Sequence, residues 1–362
     1  MSIYLDQAAA AYPDREVLDF YRAELEHSGA NQEAAHRLGY ELRRRLDAAA
    51  RELSQALADR DDCTVIWGTS GTEIFNLLAD SPAVAGKRVL TSRLEHPALL
   101  AALRRSAAEV KFAPCGKDGR LQMPEDSGAE LAAFHQVQSE LGVRQELRPL
   151  PGVPLFVDAI QAAGKLPLPP EFDLAAVSGH KFGAPGGAAL LAHPRFAGKG
   201  KLAEFAHRYR HVEYRCGRPE PALLLTLAFA ATRRRAAREA TLRRISELNA
   251  AARELLAGLP LPGGARSFCT VPAEAASPFI LHLTLPGVQS GVVVRMLSEE
   301  DVMVAAGSAC ASETRTPSAA LTALGFSREQ AYSGLRISFG FDTSPEDVKK
   351  MAEALKTVLK NY

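Results

Sequence analysis

Cysteine is scarce in this chain and odd in number: Cys63, Cys115, Cys216, Cys269 and Cys310 are all there is in 362 residues. That usage argues against a disulfide framework and for a reducing compartment. Charge of one sign is also lacking. Lys plus Arg number 43 against 42 for Asp plus Glu, a net charge of +1, which gives no reason to expect nucleic acid or an anionic membrane as partner. Long hydrophobic runs are missing too. The longest, near Leu223 to Ala231, is far short of a membrane span. The N-terminal residues carry Asp6 and no basic-then-apolar pattern, so no signal peptide is expected and the cytoplasm is the expected compartment. There is no internal repeat and no low-complexity segment.

What remains is ordinary globular composition, 47% hydrophobic and 23% charged, at a length that accommodates two domains. Leu38, Leu42, Leu46, Leu53 and Leu57 recur at helical spacing, which predicts an amphipathic helix over residues 34–58. Short apolar runs predict strands at Cys63–Trp67, Arg88–Thr91, Val110–Phe112, Leu155–Asp158 and Leu174–Ser178. Gly68-Thr69-Ser70-Gly71-Thr72 is expected to turn into a helix beginning near Glu73. Strands alternating with helices imply a mostly parallel sheet covered on both faces. Pro221 to Leu256 reads as one long helix leading from a large domain into a small one. Arg233-Arg234-Arg235 on it is expected to lie on a solvated face. Beyond it, Phe279–Leu285 alternates like a strand buried on one face, and Leu335–Phe339 reads as another. Ser344-Pro345-Glu346-Asp347 starts a final helix, with Ser as N-cap, Pro first and Asp third. The expected division is 13–245 for the large domain and 1–12 with 246–362 for a smaller α+β domain.

Four segments at strand ends carry chemistry, and open α/β sheets bind ligands at such ends. Thr69-Ser70-Gly71-Thr72 exposes backbone N–H groups at a helix start, where an anion such as a phosphate is favoured. Gly and Thr are also common there for geometry alone. In Glu95-His96-Pro97 the histidine suits stacking on an aromatic cofactor or moving protons, or is simply a loop histidine. Asp158, followed by Gln161, ends an apolar strand and needs a positive partner if buried. A protonated pyridine nitrogen is one such partner, and a helix N-cap is the rival explanation. Lys181, after Ser178-Gly179-His180, is either a desolvated nucleophile or a surface lysine. Gly307-Ser308-Ala309-Cys310-Ala311-Ser312 sets a cysteine on small residues that pack no core by themselves.

The order of these segments resembles the cysteine desulfurases of the NifS/IscS kind, class V aminotransferase family enzymes of fold type I that use pyridoxal 5'-phosphate. The matching stretches are Tyr4-Leu5-Asp6, His36-x-x-Gly39, Thr72-Glu73-x-x-Asn76, Glu95-His96-Pro97-Ala98, Val157-Asp158-Ala159-x-Gln161, Ser178-Gly179-His180-Lys181, Gly307-Ser308-Ala309-Cys310 and Leu335-Arg336-Ile337-Ser338. The resemblance implies an α/β fold, with a mostly parallel mixed sheet flanked by helices plus a smaller α+β domain. It implies Lys181 as the Schiff-base lysine, Asp158 as partner of the ring nitrogen, His96 stacked on the ring and Gln161 on the ring oxygen. Gly71, Thr72, Ser178 and His180 would surround the phosphate, Arg336 would bind the substrate carboxylate, and Cys310 would accept sulfur as a persulfide. The implied partners are L-cysteine, a sulfur-acceptor protein serving iron–sulfur clusters or thio-cofactors, and a second copy of the chain in a homodimer.

The match has departures. The family's Asn-Asn-Glu is Gln138-Ser139-Glu140 here, its Arg-x-Gly-Thr is Arg215-Cys216-Gly217-Arg218, and its Asn-Pro-Ser-Ser is Asn31-Gln32-Glu33-Ala34. Asn31, Ser139 and Arg336 remain the substrate-binding candidates, and Arg218 the candidate phosphate contact in place of the threonine. Two rival readings stand beside a desulfurase: a class V enzyme of other specificity (selenocysteine lyase, β-lyase or aminotransferase), and a weakened homologue acting as a scaffold. No metal is expected. His207 and His211 are spaced to share a helix face and Cys216 is near, but no further ligand is in view.

Overall fold

The computed structural model describes residues 2–124, 127–197, 220–307 and 316–362. After the short β1 (Ile3–Tyr4), two helices, α1 (Arg15–His27) and α2 (Arg37–Ala58), precede the main sheet. The expected helix over 34–58 starts three residues late. The ring of His36 accepts a hydrogen bond from Gly39 N at 3.2 Å and so caps the first turn. Leu42, Leu46, Leu53 and Leu57 are buried as the spacing predicts, each contributing roughly 2 kcal/mol. Leu38 lies off that stripe and is exposed.

Seven strands form the main sheet in the order β2-β8-β7-β6-β5-β3-β4. They are β2 (Thr64–Gly68), β3 (Arg88–Ser92), β4 (Glu109–Ala113), β5 (Leu131–His135), β6 (Leu155–Asp158), β7 (Leu174–Ser178) and β8 (Ala188–Ala192). All pairings are parallel except those of β8, which runs antiparallel to β2 and β7. The carboxyl ends of β2, β3, β5, β6 and β7 therefore share one edge of the sheet. Two apolar cores cover its faces. One joins Leu53, Phe134, Val157 and Leu227, and the other joins Ile74, Phe75, Leu99 and Phe156. Two helices follow strand ends directly, α3 (Gly71–Asp80) after β2 and α4 (Pro97–Ser106) after β3. The first begins at Gly71 rather than Glu73, because the Ser70 hydroxyl accepts from Glu73 N at 3.2 Å and makes Ser70 the N-cap.

The long helix is one element, α5 (Pro221–Leu256). Its N-terminal part, through Ala231, packs in the core of the main sheet, and Ile245, Leu248, Ala252 and Leu256 pack in a separate core. The arginine run between them is not a solvated face. Arg234 is buried, donates to Phe182 O at 2.9 Å, and lies 3.8 Å from the centre of the Phe341 ring. Arg233 pairs with Glu16, and Arg235 with Asp59 at 2.6 Å. The acidic partners come from α1, from the α2 terminus and from the loop holding Asp14, so tertiary contacts override the charge pattern.

The second core holds β9 (Phe268–Cys269), β10 (Ile280–Thr284), α6 (Ser290–Glu299), β11 (Val302–Met303), β12 (Gly334–Ser338) and α7 (Pro345–Lys360). Its three-stranded sheet has the antiparallel order β12-β10-β9, and β1 pairs with β11. β10 is buried on both faces, not one. Leu281 and Leu283 enter the second core, while Ile280 turns to Val137, Ala162 and Leu166 of the larger lobe. α7 starts with the expected capping box, Ser344 and Asp347 bonding each other's backbone N–H. Because Ile245 already packs in the second core, we propose a domain division at the level of this residue on α5.

Candidate active site

The shared edge of the main sheet opens into a cavity of about 210 Å³. Gly71, Thr72, His96, Ser139, Asp158, Gln161, Ser178, His180, Lys181 and Arg336 all line it, drawn from the turns after β2, β3, β5, β6 and β7 and from β12. Asn31 is not brought there by this chain. It sits on an exposed turn ahead of α2, its side-chain oxygen accepting from Glu33 N at 3.0 Å. Cys310 and Arg218 lie outside the described residues, as do Cys216, His207 and His211. Among the described residues no three His, Cys, Asp or Glu side chains are grouped to hold a metal ion.

Asp158 closes the fully buried strand β6. Its Oδ1 accepts from Ile160 N at 3.0 Å. Burial is the main influence that pushes its carboxyl up to about 7, and the neighbouring Glu95 adds to it. Such a group is in want of a cationic or proton-bearing partner. Lys181 follows β7 on a short 3₁₀ turn, and its Nζ donates to Ala9 O at 2.6 Å. Ser178 Oγ and His180 Nδ1 are 3.0 Å apart. Burial, then the charge of Lys181, lowers His180 to about 4. His96 is lowered for the same two reasons. Its Nδ1 accepts from Ala98 N at 3.2 Å, capping α4, so the neutral ring carries its proton on Nε2. Both histidines are thus neutral at pH 7, and Phe75 lies 6.3 Å from the His96 ring.

Gln161 is oriented from behind. Its Nε2 donates to Ala8 O at 2.8 Å, and its Oε1 faces the Nζ of Lys165 at 3.4 Å. Sequence reasoning passed over Lys165. It is buried beneath the site because Gly164 turns the chain with φ of 72°, where a Cβ would meet the Phe182 Cβ at 2.7 Å. His135 was passed over as well, and Glu95 was quoted in its motif without a role. Glu95 Oε1 accepts from Ser92 Oγ and is 2.7 Å from His135 Nδ1, both pairs fully buried. His135 is the register partner of Asp158. The departure at residues 138–140 also has a clear form. Gln138 Oε1 accepts from Glu140 N at 2.7 Å and its Nε2 donates to Leu94 O at 3.3 Å, so its oxygen is spent on its own turn and its nitrogen bonds the turn after β3. Ser139 contributes its carbonyl to Arg336 Nη1 at 3.0 Å.

This donor set fits pyridoxal phosphate. A lysine amine, a buried carboxyl suited to a ring N–H, an amide donor and the N-terminus of α3, where an anion is favoured, converge on one cavity. The order of the chain agrees. The profile of the family described as Aminotransferase class-V matches residues 3–351. A cysteine desulfurase IscS from Anaeromyxobacter sp. (strain Fw109-5) is 30% identical over 96% of this chain and 89% of its own. Among solved structures, one titled as a NifS-like protein superposes with a TM-score of 0.84 over all of both chains at 20% identity. SspA in complex with cysteine does so with a TM-score of 0.71 over 94% of this chain and 99% of its own, at 22% identity. These two show the fold.

Proposed function

We propose, for a chain that belongs to the class V aminotransferase family as a NifS/IscS-like pyridoxal-phosphate enzyme, that it is an L-cysteine desulfurase. In this reading L-cysteine becomes L-alanine, and the sulfur passes as a persulfide on Cys310 to an acceptor protein. The observation that carries it is the convergence of Lys181, Asp158, Gln161, His96 and Arg336 on one cavity. The IscS relative supports the choice of cysteine.

Pyridoxal phosphate, when bound, supplies an electron sink for the carbon bearing the amino group. The rest falls to the chain. Lys181 would provide the amine that holds the cofactor and would move the Cα proton. Asp158 would keep a proton on the ring nitrogen. Gln161 would donate to the ring oxygen, while Gly71, Thr72, Ser178 and His180 would surround the phosphate. His96, neutral with its proton on Nε2, would stack on the ring and serve as a proton carrier. Arg336 receives the substrate carboxylate, with Ser139 at its side. Cys310 as thiolate attacks the substrate sulfur, taking it as the Cβ–S bond breaks. Arg218 and Asn31 we assign to contacts made across a homodimer. Tyr12, Leu18, Leu25, Leu38 and Tyr40 are large exposed apolar side chains on or beside α1 and α2, which supports a second copy there.

The commitment of the Gln138 amide to Glu140 N and Leu94 O, with the short Ser139 beside it, is the one observation favouring a class V enzyme of other specificity. Alanine formation from L-cysteine with a reductant present, in the wild type and in Cys310→Ser, decides between them. Alanine from the wild type alone supports persulfide chemistry. Alanine from neither, with the yellow cofactor band retained, refutes the desulfurase reading.

A further inference from the structure

Arg336 is buried to 3% exposure, and its guanidinium is gripped from two sides. Nη1 donates to Ser139 O of the large lobe at 3.0 Å, and Nη2 to Asp6 Oδ1 at 2.6 Å. Nε is buried with no hydrogen-bond partner. An orphaned buried guanidinium N–H is costly, so the two bonds that Arg336 does make carry its anchorage. Asp6 is firmly mounted. It follows β1 and bridges to Ser338 of β12, the strand that bears Arg336. Ser338 N donates to Leu5 O at 2.8 Å, and Ala8 N to Ser338 Oγ at 2.9 Å. The carboxylate and the arginine it holds therefore ride on one hydrogen-bonded unit.

We propose that Asp6 is a positioning residue for substrate recognition: it fixes the Arg336 guanidinium in the orientation in which it meets the carboxylate of the amino-acid substrate. This rests on the reading of Arg336 given above. A long arginine side chain left to itself spreads over many rotamers, and ordering it on binding weakens affinity. The charged bond to Asp6 completes that ordering beforehand. Ser139 alone holds only Nη1 and leaves the far edge of the fork free to swing.

The test uses the pyridoxal-phosphate-loaded protein and two probes that divide the groups of cysteine between them. 3-Mercaptopropionate keeps the carboxylate and thiol without the amine, and cysteamine keeps the amine and thiol without the carboxylate. Calorimetric titration of Asp6→Asn should show 3-mercaptopropionate weakened about five- to tenfold and cysteamine unchanged. The KM for L-cysteine should rise by a similar factor with kcat within about twofold, and Asp6→Glu should recover part of the loss. Equal or tighter binding of 3-mercaptopropionate to Asp6→Asn overturns the proposal, since Asp6 then competes with the substrate instead of preparing for it. Equal weakening of both probes, or loss of the visible cofactor band, also overturns it and makes Asp6 a general strut. If Arg336→Ala binds 3-mercaptopropionate as well as the wild type does, the assignment of Arg336 itself falls, an outcome separate from the others.

Discussion

Replacing Lys165 by methionine should make the cofactor-free protein more stable, and more so at low pH than at high. Lys165 is fully enclosed, and burial, then the charges of Lys181 and Arg336, lowers it from 10.5 to about 7. Between those values the folded chain binds fewer protons at this site than the unfolded chain. Stability therefore rises with pH across that interval, and the whole penalty is present below pH 7. The interval is 3.5 units by difference, which sets a ceiling of about 5 kcal/mol. Two contacts reduce what methionine recovers: the bond to Gln161 at 3.4 Å and the Phe279 ring with its centre 5.7 Å from Nζ. Each contributes about 1 kcal/mol, leaving a gain of roughly 3 kcal/mol at pH 6. Urea unfolding of both apo proteins at pH 6, 8 and 10 measures it, with cofactor absent so that binding does not add to stability. The advantage of Lys165→Met should shrink steadily and nearly vanish by pH 10. A variant less stable than the wild type at pH 6, or an advantage that does not change with pH, would refute a buried lysine under strain.

Two further predictions concern the cavity wall. Asp158, raised from 3.8 to about 7 by burial first, binds more protons folded than unfolded between those values, so its cost is absent at pH 4 and complete above pH 7. Asp158→Asn should stabilise the apo protein by about 2–4 kcal/mol at pH 8 in urea unfolding while lowering alanine formation by on the order of a hundredfold or more. A variant that is no more stable than the wild type at pH 8 would contradict the burial argument. Gly71→Val should lose cofactor on dialysis, read as the fall in visible absorbance, since a Cβ there would meet Ile160 Cδ1 at 2.4 Å and crowd the segment between Asp158 and Gln161. Undiminished absorbance after dialysis would show that the wall yields.

The parts of the fold legible in the sequence are those whose signal is local. The leucine stripe of α2, the capping box of α7 and the unbroken helical run of α5 each depend on residues a few positions apart. β5 and β8 escaped because Leu-Ala-Ala-Phe-His and Ala-Ala-Leu-Leu-Ala are buried throughout and show no alternation, so a strand and a buried helix look the same there. The motif residues Asp158, Gln161, Ser178, His180 and Lys181 were legible because each stands at the end of an apolar run. Glu95 with His135, Lys165 with Gln161 and Asp6 with Arg336 were not. The first pair is 40 residues apart and the last 330. Lys165 is only four residues from Gln161, yet nothing local tells a buried lysine from a solvated one. Arg233 to Arg235 misled for the same reason, since Asp14, Glu16 and Asp59 reach them only after folding.

The unfavourable ionisations around the cavity have a common direction. Asp158, at the end of β6, is raised to about 7, while His180, beside Ser178 after β7, is lowered to about 4 and Lys165, behind Gln161, to about 7. Each would be relieved by the opposite charge: a cationic ring nitrogen at Asp158, and a phosphate where His180, the helix start and the nearby lysines converge. A guest positive at one end and dianionic at the other relieves both strains together, and an uncharged aromatic of the same shape relieves neither. On this argument the burial that destabilises the empty fold favours a guest with that distribution of charge. Substitutions that stabilise the empty protein at these positions should, on this argument, weaken its hold on pyridoxal phosphate.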